Sequence, residues 1–444
     1  MATVDARALL FDPQTCLEPW LPTTSDPWNR QKAAHLLRRA GFGASPQSID
    51  HAVAAGPAAA IEALFTPTED PTTAAIDAMG PRLMRQRNID RVAAWWLRLM
   101  LETNHPLRER LALLWHGHFA VSADKVTSTA AIYGQLELFR SAGFGDLRTL
   151  ARGVVHDPAM LRFLDADRIR VGHPNENLAR ELFELFLLGI GNYTERDIQE
   201  AARALTGLRL SGDRSEWVER YHDTSAKTVF GRTAAFTPDT LVHHCFEQPA
   251  AARFFATTLA REFVGSQLPD ETLETLAALL RKEEFRVDRF LRVLFASRLF
   301  FDASSIRARI ASPVEFVIGT LRALDARANS NTLARQVGAM GQRLFHPPGV
   351  QGWSGGTDWI SSGRIIARNQ FGRSLASADE ELGAQFDWEA LCGDRSRSAL
   401  LDHLIVRFIS ADLPAAVRDA LVAHDGDPRD WIHLLITLPE AQLV

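Results

Sequence analysis

One stretch of the chain, residues 175–191 with the sequence NENLARELFELFLLGIG, restricts the fold more than any other. Asn175 is a suitable N-cap and Gly189 a suitable helix end, so the stretch predicts a helix of about four turns. Its polar residues share one narrow sector of the helix, whereas an ordinary surface helix has a broad polar face. The pattern therefore predicts a helix that runs through the interior, where its charges need partners.

The remainder of the chain predicts an all-α fold. Short helical segments separated by glycine and proline signals continue over nearly the whole sequence, which indicates a single large multi-helical domain at 1–444. An extended N-terminal arm is expected at 1–26. Two long irregular loops interrupt the helices, an excursion at 207–236 with at most a small β-hairpin and a Gly/Pro/Trp loop at 346–359. Long ordered loops in compact domains are often functional.

Composition excludes several classes of protein. The net charge is −5 and no long basic run occurs, so no nucleic-acid partner is expected. The three cysteines lie far apart and predict neither a disulfide framework nor a zinc site. No apolar run is long enough to span a membrane. The first residues lack the pattern of a secretory signal, and we therefore expect a cytoplasmic protein.

The polar sector of the 175–191 helix holds the first candidate site residues, and it allows two interpretations. In the first, Glu181 and Glu184 are metal ligands or a catalytic acid/base pair, while Arg180 and Asn177 bind an anionic ligand. In the second, the same charges form a buried structural network, with Arg203 as a further member. The ExxE spacing lacks the histidine of carboxylate-diiron proteins, so a dinuclear metal centre gains little support.

Two histidines in the segment LWHGHFAVS, His116 and His118, are candidate catalytic residues or metal ligands. Residues two apart share a face in an extended strand and can chelate one metal ion, but they point apart on a continuing helix. Gly117 permits either conformation. The spacing identifies no third ligand, so the presence of a metal ion stays open, and no motif names another cofactor.

The two irregular loops supply the remaining candidate ligand-binding residues. His222 lies on the first loop, and His346 and Trp353 lie on the second. The prolines and glycines of the second loop fix its entry and allow close backbone approach, and its tryptophans offer flat apolar surfaces. The loop is either the wall of a ligand site or a rigid plug at the end of the helical array.

Several of these segments together resemble a bacterial family known as domain of unknown function 1800. The matching pieces are AHLLRRAGFGAS, LWHGHF, PNENLARELFELFLLGIGNYTERDIQEAARALTG, KTVFG, SPVEFVIGTLRAL and HPPGVQGWSGGTDWI. The resemblance implies no activity. It does imply a partner protein similar to sulfatases and alkaline phosphatases, and export to the periplasm as an alternative to the cytoplasm. Gly117 and Phe186 depart from the family, in which many members have Asn and some have His at these positions.

Two hypotheses follow, and neither settles whether the chain is an enzyme. The first is a ligand-binding or catalytic protein with a buried Glu/Arg/His site, whose chemistry could be hydrolytic or redox. The second is a helical scaffold that docks a partner. Because isolated buried charges are costly, we expect Glu181 and Glu184 within contact of His116 or His118, with Arg180 or Arg203 adjacent.

Overall fold

Helices follow one another along the chain as the glycine and proline signals predict. A computed structural model describes residues 12–66, 68, 70–166, 169–265 and 267–444. The helices before residue 170 are α1 (Arg30–Arg39), α2 (Pro46–Ala55), α3 (Pro57–Ala63), α4 (Pro71–Asp77), α5 (Gly80–Arg85), α6 (Ile89–Glu102), α7 (Pro106–His118), α8 (Thr129–Ala142), α9 (Leu147–Val155) and α10 (Pro158–Phe163).

The helical pattern continues to the end of the chain. The later helices are α11 (Glu176–Glu181), α12 (Glu195–Ala204), α13 (Pro238–Glu247), α14 (Pro249–Phe263), α15 (Asp270–Lys282), α16 (Val287–Ala296), α17 (Arg298–Phe301), α18 (Pro313–Ala323), α19 (Ser330–Ala339), α20 (Ser362–Ala376), α21 (Trp388–Cys392), α22 (Arg397–Phe408), α23 (Ala415–Val422) and α24 (Asp430–Thr437). A π-helical segment (Leu182–Leu187) follows α11, and short 3-10 turns occur at Glu219–Tyr221, Gly356–Ile360 and Pro439–Gln442.

Two β-hairpins lie inside the irregular excursion at 207–236. Strand β1 (Leu208–Ser211) pairs antiparallel with β2 (Arg214–Trp217), and β3 (Lys227–Val229) pairs with β4 (Arg232–Ala234). The all-α prediction is confirmed, because the described residues form only these two small sheets. The sequence predicted at most one hairpin. The second forms because Phe230 and Gly231 both adopt positive φ, at 48° and 74°, which suits the tight turn of a two-residue hairpin.

The N-terminal arm can be compared with its prediction only in part, since 1–11 lie outside the described residues. From residue 12 to the start of α1 the chain forms turns and no helix. It is held in place by a bridge between Pro19 and Ser297, and the thiol of Cys16 is buried. Asn29 caps α1 by accepting a hydrogen bond from the N–H of Lys32.

The central helices bury charged side chains together with aromatic ones. In α6 the fully buried Trp96 donates its indole N–H to the carboxylate of Glu109, at 2.9 Å. Nearby in α7, Arg110 lies 2.6 Å from Glu262 and 2.5 Å from Glu315. We refer to one set of such side chains as the core ion network, and its members are Glu109, Arg110, Arg140, Glu262, Arg309 and Glu315.

Candidate functional site

The helix at 175–191 begins as predicted and then changes its winding. Asn175 caps α11 by accepting a hydrogen bond from the N–H of Asn177 at 2.8 Å. From Leu182 to Leu187 the helix is π-helical, and the N–H of Leu188 bonds the carbonyl of Phe183 at 3.0 Å. A regular α-helix was predicted here. π-helical segments are rare and often lie at functional sites, so the change of winding makes this helix a candidate for a functional role.

The polar sector of this helix faces the surface, and the prediction of an interior helix with buried charges is wrong. Arg180 forms a two-fold hydrogen bond at 2.8 Å with Glu195, whose side chain is 69 % exposed. Asn177 is exposed, and its amide donates to the carbonyl of Leu164 at 3.4 Å. The apolar arc of the helix is buried (Leu178, Ala179, Leu182, Phe183, Phe186 and Leu187). The polar side chains of a helix can therefore reach solvent even when they occupy only a narrow sector of it.

The two carboxylates of this sector lie half-buried side by side. Glu184 accepts a hydrogen bond from the hydroxyl of Tyr193 at 2.7 Å. Glu181 has no hydrogen bond or ion pair within the part of the chain that the structure describes. Partial burial, and then the neighbouring charge of Glu184, raise the pKa of Glu181, although Arg180 opposes the shift. The pair is thus a partly uncompensated negative charge at the surface.

His116 and His118 both lie on α7 and point to different neighbours. The Nε2 of His116 accepts the N–H of Phe345 at 3.0 Å, and the Nε2 of His118 lies 2.9 Å from the carbonyl oxygen of Phe186. Burial lowers the pKa of His116 to about 3 and that of His118 to about 4. Both rings are therefore neutral, and they cannot chelate one metal ion because α7 continues through them. Neither histidine bonds Glu181 or Glu184 among the described residues.

His118 bonds the backbone near the end of the π-helical segment. The last carbonyls of a helix have no partner within it, and the Phe186 carbonyl belongs to this group. The ring N–H of His118 supplies the missing donor. The expected meeting of α7 with the 175–191 helix thus occurs through the backbone of Phe186, while the carboxylates do not take part.

The Gly/Pro/Trp loop at 346–359 packs directly on the end of α7. Gly352 has φ of +70°, and a Cβ at this position would overlap the carbonyl oxygen of Gly117. Only glycine permits this approach. The ring of Trp353 lies edge-to-face on His116, with 5.3 Å between the ring centres. The loop is therefore a fixed wall against the LWHGHF segment.

A small pocket opens in this wall. It has a volume of about 180 Å³ and is lined by His346, Trp353, Ser354, Asp358, Trp359 and Arg364, with Arg343 at its edge. The Nδ1 of His346 lies 2.8 Å from Oδ1 of Asp124, and this contact lowers the pKa of Asp124. The Nε2 of His346 is buried and has no hydrogen-bond partner among the described residues.

The positive charge of the pocket comes from Arg364. Its guanidinium lies 5.6 Å from the ring centre of Trp359 and donates to the backbone carbonyl of Asp358. Within the described residues it has no carboxylate partner. Arg343, by contrast, is paired with Asp90 at 3.1 Å. Arg364 therefore remains able to bind an anion.

Arg203 and His222 lie together in a separate structural cluster. Arg203 binds Asp223 at 2.8 Å and Glu200 at 2.9 Å, and despite partial burial it holds the pKa of Asp223 near 2. His222 lies 2.9 Å from the carbonyl of Thr206 and packs on Trp217. These contacts fix the excursion at 207–236 against α12, so these two candidates do not join the pocket.

Residues 117–126 contact both the 175–191 helix and the loop at 346–359, which hold most of the other candidate residues. Gly117 contacts Gly352, His118 bonds the central helix, and Asp124 bonds His346. Lys125 forms an ion pair of 2.7 Å with Asp165, next to Leu164, whose carbonyl accepts the amide of Asn177. Sequence reasoning missed Asp124, Asp358 and Arg364, because single acidic or basic residues without a spacing pattern carry no signal.

Two further findings concern metal ions and membranes. The described residues contain no group of three or more His, Cys, Asp or Glu side chains arranged to hold a metal ion. Over the same residues, no helix is both long and apolar enough to cross a bilayer.

Comparison with known proteins gives one match. Residues 35–443 match the model of a family described as "Protein of unknown function (DUF1800)", which confirms the resemblance found in the sequence. No curated protein and no solved structure matches significantly.

Proposed function

Since the chain belongs to this DUF1800 family, whose description states no activity, we propose a function from geometry: the protein binds a small anion that carries a hydrogen-bond donor. The site is the pocket between His346 and Arg364. Its volume of about 180 Å³ suits a ligand smaller than the usual occupants of protein pockets.

The observation that carries the proposal is the unpartnered Nε2 of His346. Because Nδ1 faces the carboxylate of Asp124, the tautomer that fits this contact has its proton on Nδ1 and a lone pair on Nε2. A buried acceptor without a donor costs free energy. A ligand that presents an O–H or N–H group to Nε2 removes this cost.

The requirement for an anion comes from Arg364. A guanidinium bonded only to a backbone carbonyl can still form charge-assisted hydrogen bonds to a phosphate or carboxylate. Trp353 and Trp359 supply apolar walls around it. Hydrogen phosphate esters and hydroxy acids combine both requirements, since each carries a negative oxygen beside a hydroxyl group.

His346 and Asp124 together can also transfer a proton. A carboxylate that orients a histidine ring is a common general-base arrangement, in which Nε2 takes a proton from a bound hydroxyl group. His346 would be the base and Asp124 its positioning residue. Glu181 and Glu184 remain proposed acid/base candidates, because partial burial and the adjacent carboxylate of Glu184 raise the pKa of Glu181.

Ligand titration tests the proposal, with inorganic phosphate and lactate as probes and tryptophan fluorescence and calorimetry as readouts. We expect saturable binding to the parent protein, and at least about tenfold weaker binding for Arg364→Met and for His346→Phe, the loss of about one charged hydrogen bond. Arg335→Met is the matched control, because Arg335 is 65 % exposed and paired with Glu381. No binding to the parent, or equal binding by all variants, contradicts the proposal.

One observation favours a second function, the docking of a partner protein. Ile365 and Ile366 lie side by side at the start of α20, and they are 50 % and 58 % exposed. Adjacent exposed apolar side chains often mark interaction surfaces. The sulfatase-like protein expected from the family resemblance is the candidate partner. Co-purification tests this: Ile365→Asp/Ile366→Asp should abolish association and leave phosphate binding unchanged.

A further inference from the structure

A cluster of charged side chains in the core contains more positive than negative charge. Arg39 and Arg110 are 0 % and 1 % exposed. Arg110 pairs with Glu262 and Glu315, and Arg309 bonds both carboxylate oxygens of Glu315. The cluster thus holds three arginines (Arg39, Arg110 and Arg309) and two glutamates.

The charge of this cluster is not variable. Arginine does not lose its proton in proteins. Burial alone would raise the pKa of Glu315, but Arg110 and Arg309 lower it, so this carboxylate is ionised. The formal charges therefore sum to +1. Arg368, which is also buried and close enough to influence Glu315, adds positive charge to the surroundings.

Among the described residues, Arg39 is the member of the cluster that has no carboxylate partner. Its Nη2 donates to the carbonyls of Val264 and Ser305, at 3.0 and 2.9 Å. Its Nε and Nη1 are buried and have no acceptor within the described part of the chain. An unpaired buried guanidinium is far more costly than a paired one, so a compensating negative charge is needed here.

We propose that the core binds a small monovalent anion of the chloride class beside Arg39. The anion would accept hydrogen bonds from Nε or Nη1 and neutralise the cluster. A water molecule could accept the same hydrogen bonds, but it would leave the charge uncompensated.

Thermal unfolding in sodium chloride, with sodium gluconate holding the ionic strength constant, tests this site. A bound anion raises Tm with the logarithm of its concentration above Kd. We expect a rise of a few degrees in the parent and none in Arg39→Met, whose cluster is formally neutral. Glu262→Gln raises the formal charge to +2 and should steepen the dependence. A parent Tm independent of chloride overturns the proposal.

Two results keep the test decisive if Arg39→Met does not fold. The Glu262→Gln variant tests the site without Arg39→Met, and it should fold because Arg110 keeps Glu315 as a partner. A chloride dependence equal to that of the parent contradicts the proposal, and a steeper one supports it. In crystals grown with bromide, an anomalous peak within hydrogen-bond distance of Arg39 supports the site, and a featureless core refutes it.

Discussion

The core ion network and the polar sector of the central helix use the same residue types in opposite surroundings. In the network, Glu109 and Glu315 are almost completely buried, and each contacts at least two donors. In the sector, Glu181 and Glu184 are half-buried, and Glu184 has one neutral donor. The sequence predicted that the sector is buried, whereas its side chains reach the surface. The number of partners that a carboxylate can reach decides its burial, and the width of the polar face does not.

The difference separates scaffold from candidate site. A buried ion pair costs desolvation free energy that only several good contacts can offset. Such contacts occupy the oxygens of Glu109 and Glu315, so these two carboxylates have little hydrogen-bonding capacity left for a ligand. The carboxylates at the surface, like Arg364 in the pocket, keep unused hydrogen-bonding capacity. Mutations should therefore affect stability in the first region and binding in the second.

The largest expected effect is that of Glu315→Ala. Removing this carboxylate leaves Arg110 and Arg309 short of a partner in the core and deletes the capping box of α18. We expect a loss of about 3–5 kcal/mol in the free energy of unfolding, measured by urea denaturation. Glu195→Ala breaks the exposed pair with Arg180 and should cost far less, because solvent screens an exposed ion pair. Equal losses of unfolding free energy in the two variants would contradict the proposed difference between the core ion network and the polar sector.

Acid should weaken the contact between His116 of α7 and the backbone of Phe345. The neutral Nε2 of His116 accepts the N–H of Phe345, and a protonated ring cannot. Its folded pKa of about 3 lies below the unfolded value near 6.5, so the stability is present above that value and is lost as pH falls towards 3. We expect a decrease of about 2–4 kcal/mol over this window.

Variant His116→Gln checks this assignment. Its amide oxygen can accept the same N–H group and does not titrate. Urea denaturation from pH 7 to pH 4 should give a flatter profile for the variant than for the parent. Parallel profiles would mean that other groups, such as His118, account for the acid sensitivity.

A backbone substitution should loosen the pocket wall without changing charge. Gly352→Ala places a Cβ against the carbonyl of Gly117 at a φ of +70°. We expect a cost of about 1–3 kcal/mol and weaker phosphate binding. Gly349→Ala, in the same loop, adds a Cβ with no atom within 4 Å and is the matched control. If the two variants behave alike, the contact with Gly117 does not fix the wall.

Sequence reasoning succeeded where a local rule decides the structure. The helical fold and the N-cap at Asn175 depend on neighbours in the chain, and both were predicted. The π-helical winding was not predictable, because its terminal carbonyl is satisfied by His118, which is 68 residues away. Likewise His346 was singled out for its loop, but its partner Asp124 is 222 residues distant. Long-range pairs leave no trace in a local pattern.

The smallest expected effect is that of Glu181→Gln/Glu184→Gln. The change keeps the shape of both side chains, preserves an acceptor for the hydroxyl of Tyr193 and removes two like charges. Because the sector reaches solvent, no buried partner is left without a counterion. We therefore expect a change between zero and a gain of about 1 kcal/mol, measured as the urea midpoint beside the parent. The same substitution at the fully buried Glu109 removes one of the three carboxylates that pair with the buried Arg140, and it should cost several times more. A large loss of unfolding free energy in the double variant, with phosphate binding intact, would show that the sector has a structural role.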